Sequence, residues 1–126
     1  MLRACRRLLR PKGRTAFTTI VVAPGLTKSD HRRAARMGPR AVTSTRPLEE
    51  LMRAARFEDV EVTDVTREFK ATAQAWWDAF SERESEIRPL LGAEYDDRQK
   101  GRREMIAGAG EGLLQRVLVS GTAPAT

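Results

Sequence analysis

Residues 15–22 read Thr-Ala-Phe-Thr-Thr-Ile-Val-Val, with β-branched side chains at six of the eight positions. Such a run is a strand, because branching at Cβ favours the pleated backbone. Its apolar groups fall at both parities, Phe17 and Val21 on one, Ala16, Ile20 and Val22 on the other. That pattern predicts a strand covered on both faces, as in the middle of a parallel sheet. A chain built round such a strand is constrained to a layered α/β arrangement with helices over the sheet.

The other strands carry different signatures. In Glu58-Asp-Val-Glu-Val-Thr-Asp-Val65, Val60 and Val62 alternate with Asp59, Glu61 and Thr63. This is a strand with one wet face, near a sheet edge. Leu113–Val119 predicts a last strand, trailing into the small-residue tail Ser-Gly-Thr-Ala-Pro-Ala-Thr.

Helical periodicity fills the rest. Leu2, Cys5, Leu8 and Leu9 share one stripe, with Arg3, Arg6, Arg7 and Arg10 mostly opposite, and Pro11-Lys12-Gly13 turns the chain. Pro24-Gly25 ends the first strand, and 26–44 reads as a loop with a short helix starting near Ser29 or Asp30. Thr45 is placed to cap the next helix, with Pro47, Glu49 and Glu50 in its first turn and Leu48, Leu51, Met52 and Ala55 as its buried stripe. A long helix is predicted over 67–88, with Phe69, Ala73, Trp76 and Phe80 at helical spacing and Trp76 in the core; Pro89 and Gly92 end it or kink it. A charged helix over 94–107 follows. The order is α-β-α-α-β-α-α-β, one domain over 1–126, without internal repeats.

Composition removes several functions. Cys5 is the only cysteine and His31 the only histidine, so an internal disulfide and a CxxC metal site are excluded. Any triad or imidazole-based metal cluster would have to use His31, which sits in a polar helical start and reads as a surface residue. No apolar run is long enough to cross a membrane. The net charge of +6 comes from an arginine-rich set, and no acid precedes Asp30. Such a start suits a basic arm for nucleic acid or a mitochondrial transit peptide. Neither explains the turn and strand that follow it.

Leu8-Leu-Arg-Pro-Lys-Gly-Arg-Thr-Ala-Phe17 resembles the helix, "L-x-P-G-G-x" turn and strand five of class I S-adenosylmethionine-dependent methyltransferases. Thr45–Phe57 is similar to that family's helix ending in a "GF" turn, Val60–Val65 to strand six, and Gly112–Val119 to the antiparallel strand seven that slots between five and six. The resemblance covers only the carboxyl-terminal half of the family's domain. It implies a truncated Rossmann-like α/β fold: three strands in the spatial order first, third, second, the last antiparallel, with flanking helices. It also implies that Met1 is a start inside a longer frame. Lys12 and Arg56 stand where the family has turn glycines.

The resemblance further implies S-adenosylmethionine as cofactor, but the family's glycine-rich loop and ribose-binding acid lie upstream of these residues. Gly108-Ala-Gly-Glu-Gly112 follows a helix and precedes a strand, the reverse of the order a cofactor loop needs, and reads as a flexible connection. The chain alone is therefore expected not to bind the cofactor, and no cofactor-binding, metal or catalytic residue is assigned. Thr18, Thr19 and His31, near the end of the strand-five equivalent, and Trp77, in an insertion like that of members acting on small molecules, are the candidate substrate-lining positions. The expected function is a methyltransferase-family fragment, inactive by itself; the alternative is a small non-catalytic module binding a protein or nucleic acid through its basic helix and open sheet edge. Expected partners are a second copy or a chain supplying the missing half of the sheet, with only weak, non-specific nucleic-acid binding and no membrane. The expected location is cytoplasmic, with mitochondrial as the alternative.

Overall fold

The computed structural model describes residues 1–38 and 46–126. In chain order the elements are α1 (Leu2–Leu8), β1 (Arg14–Val22), α2 (Lys28–Met37), α3 (Leu48–Ala54), β2 (Glu58–Asp64), α4 (Thr66–Glu82), α5 (Glu84–Leu91), α6 (Glu94–Gly110) and β3 (Leu114–Thr122). The three strands form one sheet in the order β1-β3-β2, with β3 antiparallel to both neighbours. This is the strand order and polarity expected from the sequence. The proposed cap Thr45 lies outside the described residues, and Pro47 occupies the N-cap position of α3.

The registers Phe17↔Val119 and Val62↔Val119 bring residues 17, 62, 117 and 119 onto one sheet face. There Met52, Ala55 and Phe57 close a core with Val117 and Val119, and Leu2 and Leu9 of the first segment pack against it. The opposite face is covered at one end only. Ala34 of α2 meets Leu113 and Leu114, with Ile20 and Val22 beside them. Ala16, Thr18 and Leu118, further along that face, are exposed. The prediction that β1 is covered on both faces is thus corrected: it holds for Ile20–Val22, where α2 and α6 lie, and fails for the first half of the strand. Among the described residues nothing pairs with the outer edge of β1.

Two other boundaries differ from the sequence reading. β3 runs on through Ser120, Gly121 and Thr122, which pair with Ala16, Thr15 and Arg14. Gly121 belongs there for space: a Cβ at that position would lie 2.9 Å from Met52 Cε and 3.2 Å from Phe57 Cβ. The long helix predicted over 67–88 breaks at Arg83 into α4 and α5, and Pro89 sits inside α5. Tertiary partners make the break affordable. The Tyr95 hydroxyl donates to the Phe80 carbonyl at 3.0 Å, satisfying one of the acceptors that a helix end leaves without an intrahelical donor. Gly108 and Gly110 fall in the last turn of α6, so that stretch is helix and not the flexible connection expected.

Lys12 and Arg56 both adopt positive φ, 61° and 70°. Arg56 closes α3 in a Schellman motif: its N–H donates to the Arg53 carbonyl at 2.9 Å, and Phe57 N–H donates to the Met52 carbonyl at 3.1 Å. The motif puts a side chain with a Cβ into backbone space that suits glycine. Arg56→Gly is accordingly expected to stabilise the fold by about 1 kcal/mol, read as a higher midpoint in urea at unchanged slope. A lower midpoint would show that the arginine side chain holds α3 in place.

Candidate functional site

A cleft walled by aromatic side chains lies where α4 and α6 pass over the carboxyl end of β2. β2 ends at Asp64, whose carboxylate accepts from Thr66 N–H at 2.9 Å and from the Thr66 hydroxyl. Those bonds hold the Asp64 carboxyl below the usual carboxylate range, the hydroxyl bond contributing most. They also fix the first turn of α4. Arg116 N–H donates to Thr66 Oγ1 at 3.0 Å, tying that turn to β3. α4 then lays Phe69, Ala73, Trp76 and Phe80 along one stripe facing Arg98, Arg102 and Met105 of α6.

Between them is a cleft of about 520 Å³, floored by Arg116 and edged by Glu68 and Thr72. Its cations are aligned with aromatic faces. The Arg102 guanidinium lies 3.8 Å from the Phe80 ring centre and 5.6 Å from that of Trp76. Arg116 lies 5.2 Å from the Phe69 ring centre. Burial pulls Arg102 below the usual arginine range, with Arg98 adding repulsion, although a guanidinium stays charged at any physiological pH. Its Nη1 is held by Gln99 Oε1 at 2.8 Å, and Gln99 in turn donates to the Trp77 carbonyl and the Ser81 hydroxyl. Aromatic walls with three guanidinium groups suit a small ligand carrying both an apolar part and negative charge.

The four residues nominated from sequence do not converge. Thr18 reaches the edge of this site indirectly, its hydroxyl accepting from Arg116 Nη2 at 2.6 Å. Thr19 shares the other sheet face with Phe17 and lies in a hollow with Leu2, Cys5 and Phe57. His31 is half-buried, not the open surface residue expected, and lines a separate groove of about 330 Å³ with Val21–Leu26, Leu48 and Val117. Trp77 turns away from the cleft, its ring 5.8 Å from the Arg103 guanidinium. Trp76, assigned to the core from its spacing, is 54% exposed and forms the cleft wall instead. Arg98, Arg102 and Arg116 carried no signal in the sequence beyond general basicity. The interleaving of Phe69, Trp76 and Phe80 with an arginine-bearing helix could have found them only if the α4–α6 pairing were known.

The strand-to-helix turns among the described residues lack the glycine-rich sequence of a cofactor loop, with one glycine in 23–27 and none at Val65. Two turns run from a strand into a helix, the order in which free backbone amides can meet a cofactor. One amide of each is taken by a side chain: Thr27 Oγ1 accepts from Asp30 N–H at 3.1 Å at the start of α2, and the Asp64 carboxylate accepts from Thr66 N–H at the start of α4. Among the described residues no group of histidine, cysteine and carboxylate side chains could hold a metal ion, and no helix is long and apolar enough to cross a membrane.

Comparison of the fold with solved structures is informative. Phosphoethanolamine N-methyltransferase 2 of Haemonchus contortus, in complex with phosphomonomethylethanolamine and S-adenosylhomocysteine, superposes with a TM-score of 0.74 at 18% identity, over 98% of this chain and 29% of its own. The same enzyme with S-adenosyl-L-methionine gives 0.72 at 17% identity, over 98% and 29%. A protein of Galdieria sulphuraria described as a sarcosine dimethylglycine methyltransferase gives 0.77 at 17% identity, over 99% and 47%. The fold is shared with methyltransferases. The chain spans less than half the length of each of these proteins. No family model and no curated protein matches the sequence.

Proposed function

We propose that residues 1–126 form the substrate-side part of an S-adenosylmethionine-dependent methyltransferase domain acting on a small molecule, with the cofactor-binding half supplied from outside these residues. The observation that supports this most directly is the superposition of nearly the whole chain on part of three methyltransferase structures, combined with an unpaired outer edge on β1. In an open α/β sheet the ligand sits beyond the carboxyl ends of the parallel strands. The α4–α6 cleft lies at that end of β2.

Within that reading the chain's own part in catalysis is positioning. Methyl transfer is an in-line displacement, and its barrier falls chiefly through holding the nucleophile in line. Arg98, Arg102 and Arg116 would anchor a negatively charged group of the substrate, and Trp76 and Phe69 would wall off its apolar part or a developing positive charge. Neither strand-to-helix turn among the described residues is glycine-rich, so the cofactor would be held by the other half of the domain.

A chimaera tests the proposal: this chain replaces the matched part of the Galdieria sulphuraria protein. The expected product melts in one transition that S-adenosylmethionine shifts upward, because the two parts share one sheet. Two separate transitions, with only the foreign half responding to the cofactor, would sink the reading.

A further inference from the structure

The α1–α3 corner of the molecule holds a group of arginines that the fold itself does not use. Arg3 and Arg6 of α1 and Arg56, beyond α3, enclose a hollow of about 330 Å³ with Ala54 and Ala55. Three features there run against stability. Arg56 keeps a left-handed backbone, φ 70°, at a position where glycine would be unstrained. Arg6 Nε is buried and makes no hydrogen bond. Among the described residues none of the three arginines has an acidic partner, although arginine–carboxylate pairs are common elsewhere in the chain. Strained backbone, an unsatisfied buried donor and clustered like charge persist where binding requires them.

We propose that Arg3, Arg6 and Arg56 form a binding site for a phosphate-type oxyanion, separate from the α4–α6 cleft. A tetrahedral oxyanion offers acceptors to several guanidinium forks at once and would satisfy the buried Arg6 Nε. The first segment is basic beyond these residues: Arg7, Arg10 and Lys12 are exposed, and no acid precedes Asp30 in the sequence. That continuity allows two sources for the same chemistry, a free phosphorylated molecule or a polynucleotide backbone.

The test is calorimetric titration of the full chain with inorganic pyrophosphate and, separately, with a short single-stranded oligonucleotide. Four proteins are compared: the parent, Arg6→Gln, Arg56→Gly and, as a control outside the hollow, Arg14→Gln. Saturable binding of at least one probe is expected, weakened about tenfold or more by Arg6→Gln and by Arg56→Gly, as loss of a charge-assisted hydrogen bond requires. Arg14→Gln should leave the affinity of the preferred probe within about twofold. Pyrophosphate binding at least as tightly as the oligonucleotide assigns a free phosphorylated ligand. Tighter oligonucleotide binding, falling with salt by about 0.7 log unit per phosphate neutralised, assigns a polynucleotide. Because Arg56→Gly relieves backbone strain, lost affinity in a variant that melts no lower than the parent is lost binding and not lost folding. Failure of both probes to saturate, or equal weakening by Arg14→Gln, would overturn the proposal.

Discussion

Met52→Ala is expected to remove most of the stability of the fold. Met52 is fully buried, and it is the side chain that α3 presses onto the sheet between Phe57, Val117 and Val119. Its terminal methyl reaches the backbone of β3 at Gly121, so no neighbour is free to fill the space it leaves. Truncating a buried methionine in this way costs about 2–5 kcal/mol, against a total of about 5–15 kcal/mol for an ordinary domain. A chain with one sheet face half bare belongs near the lower end of that range. Leu90→Ala, at a position 83% exposed, is the matched control and should stay within about 0.5 kcal/mol. Urea titrations of both variants decide it. Equal midpoints would mean that the α3 face is not the core.

The second large effect concerns association. β1 has no partner on its outer edge among the described residues, and no proline, bulge or inward charge blunts it. Next to that edge the poorly covered face exposes Ala16, Thr18 and Leu118, the last at 40%. On the proposed reading, such a strand would be completed by another strand, either from a second copy or from a half that carries the cofactor. Sedimentation should therefore show a concentration-dependent mass above that of one chain. Ala16→Lys, which places on the edge the charge that natural sheets use there, should move the chain toward monomer. A parent chain that sediments as a monomer at all accessible concentrations would defeat this and show the β1 edge to be covered.

The sheet was legible because each strand declares its surroundings through side-chain parity. The alternation of Val60 and Val62 with acids gave an edge strand, and β2 is one. The apolar run 15–22 declared surroundings that the described residues do not provide, which is why half of β1 is barer than its sequence implies. The end of β3 was hidden because Ser120 and Gly121 have little strand preference of their own; Gly121 is set by the close approach of Met52 and Phe57. The break at Arg83 was hidden for a similar reason: the group that donates to the released end of α4 is the Tyr95 hydroxyl, fifteen residues beyond the Phe80 carbonyl. The left-handed turns at Lys12 and Arg56 were readable as places where glycine is usual. The candidate cleft was not readable, since its residues come from α4, α6 and β3 and meet only through helix packing.

Calorimetric titration of S-adenosylmethionine into the purified chain tests the central claim most directly. Neither strand-to-helix turn among the described residues is glycine-rich, and Thr27 and Asp64 each take one of its amides, so only heats of dilution are expected up to millimolar ligand, about the weakest affinity such titrations resolve. Saturable micromolar binding to residues 1–126 by themselves would contradict it, because the cofactor would then have a site that this part of the fold does not contain.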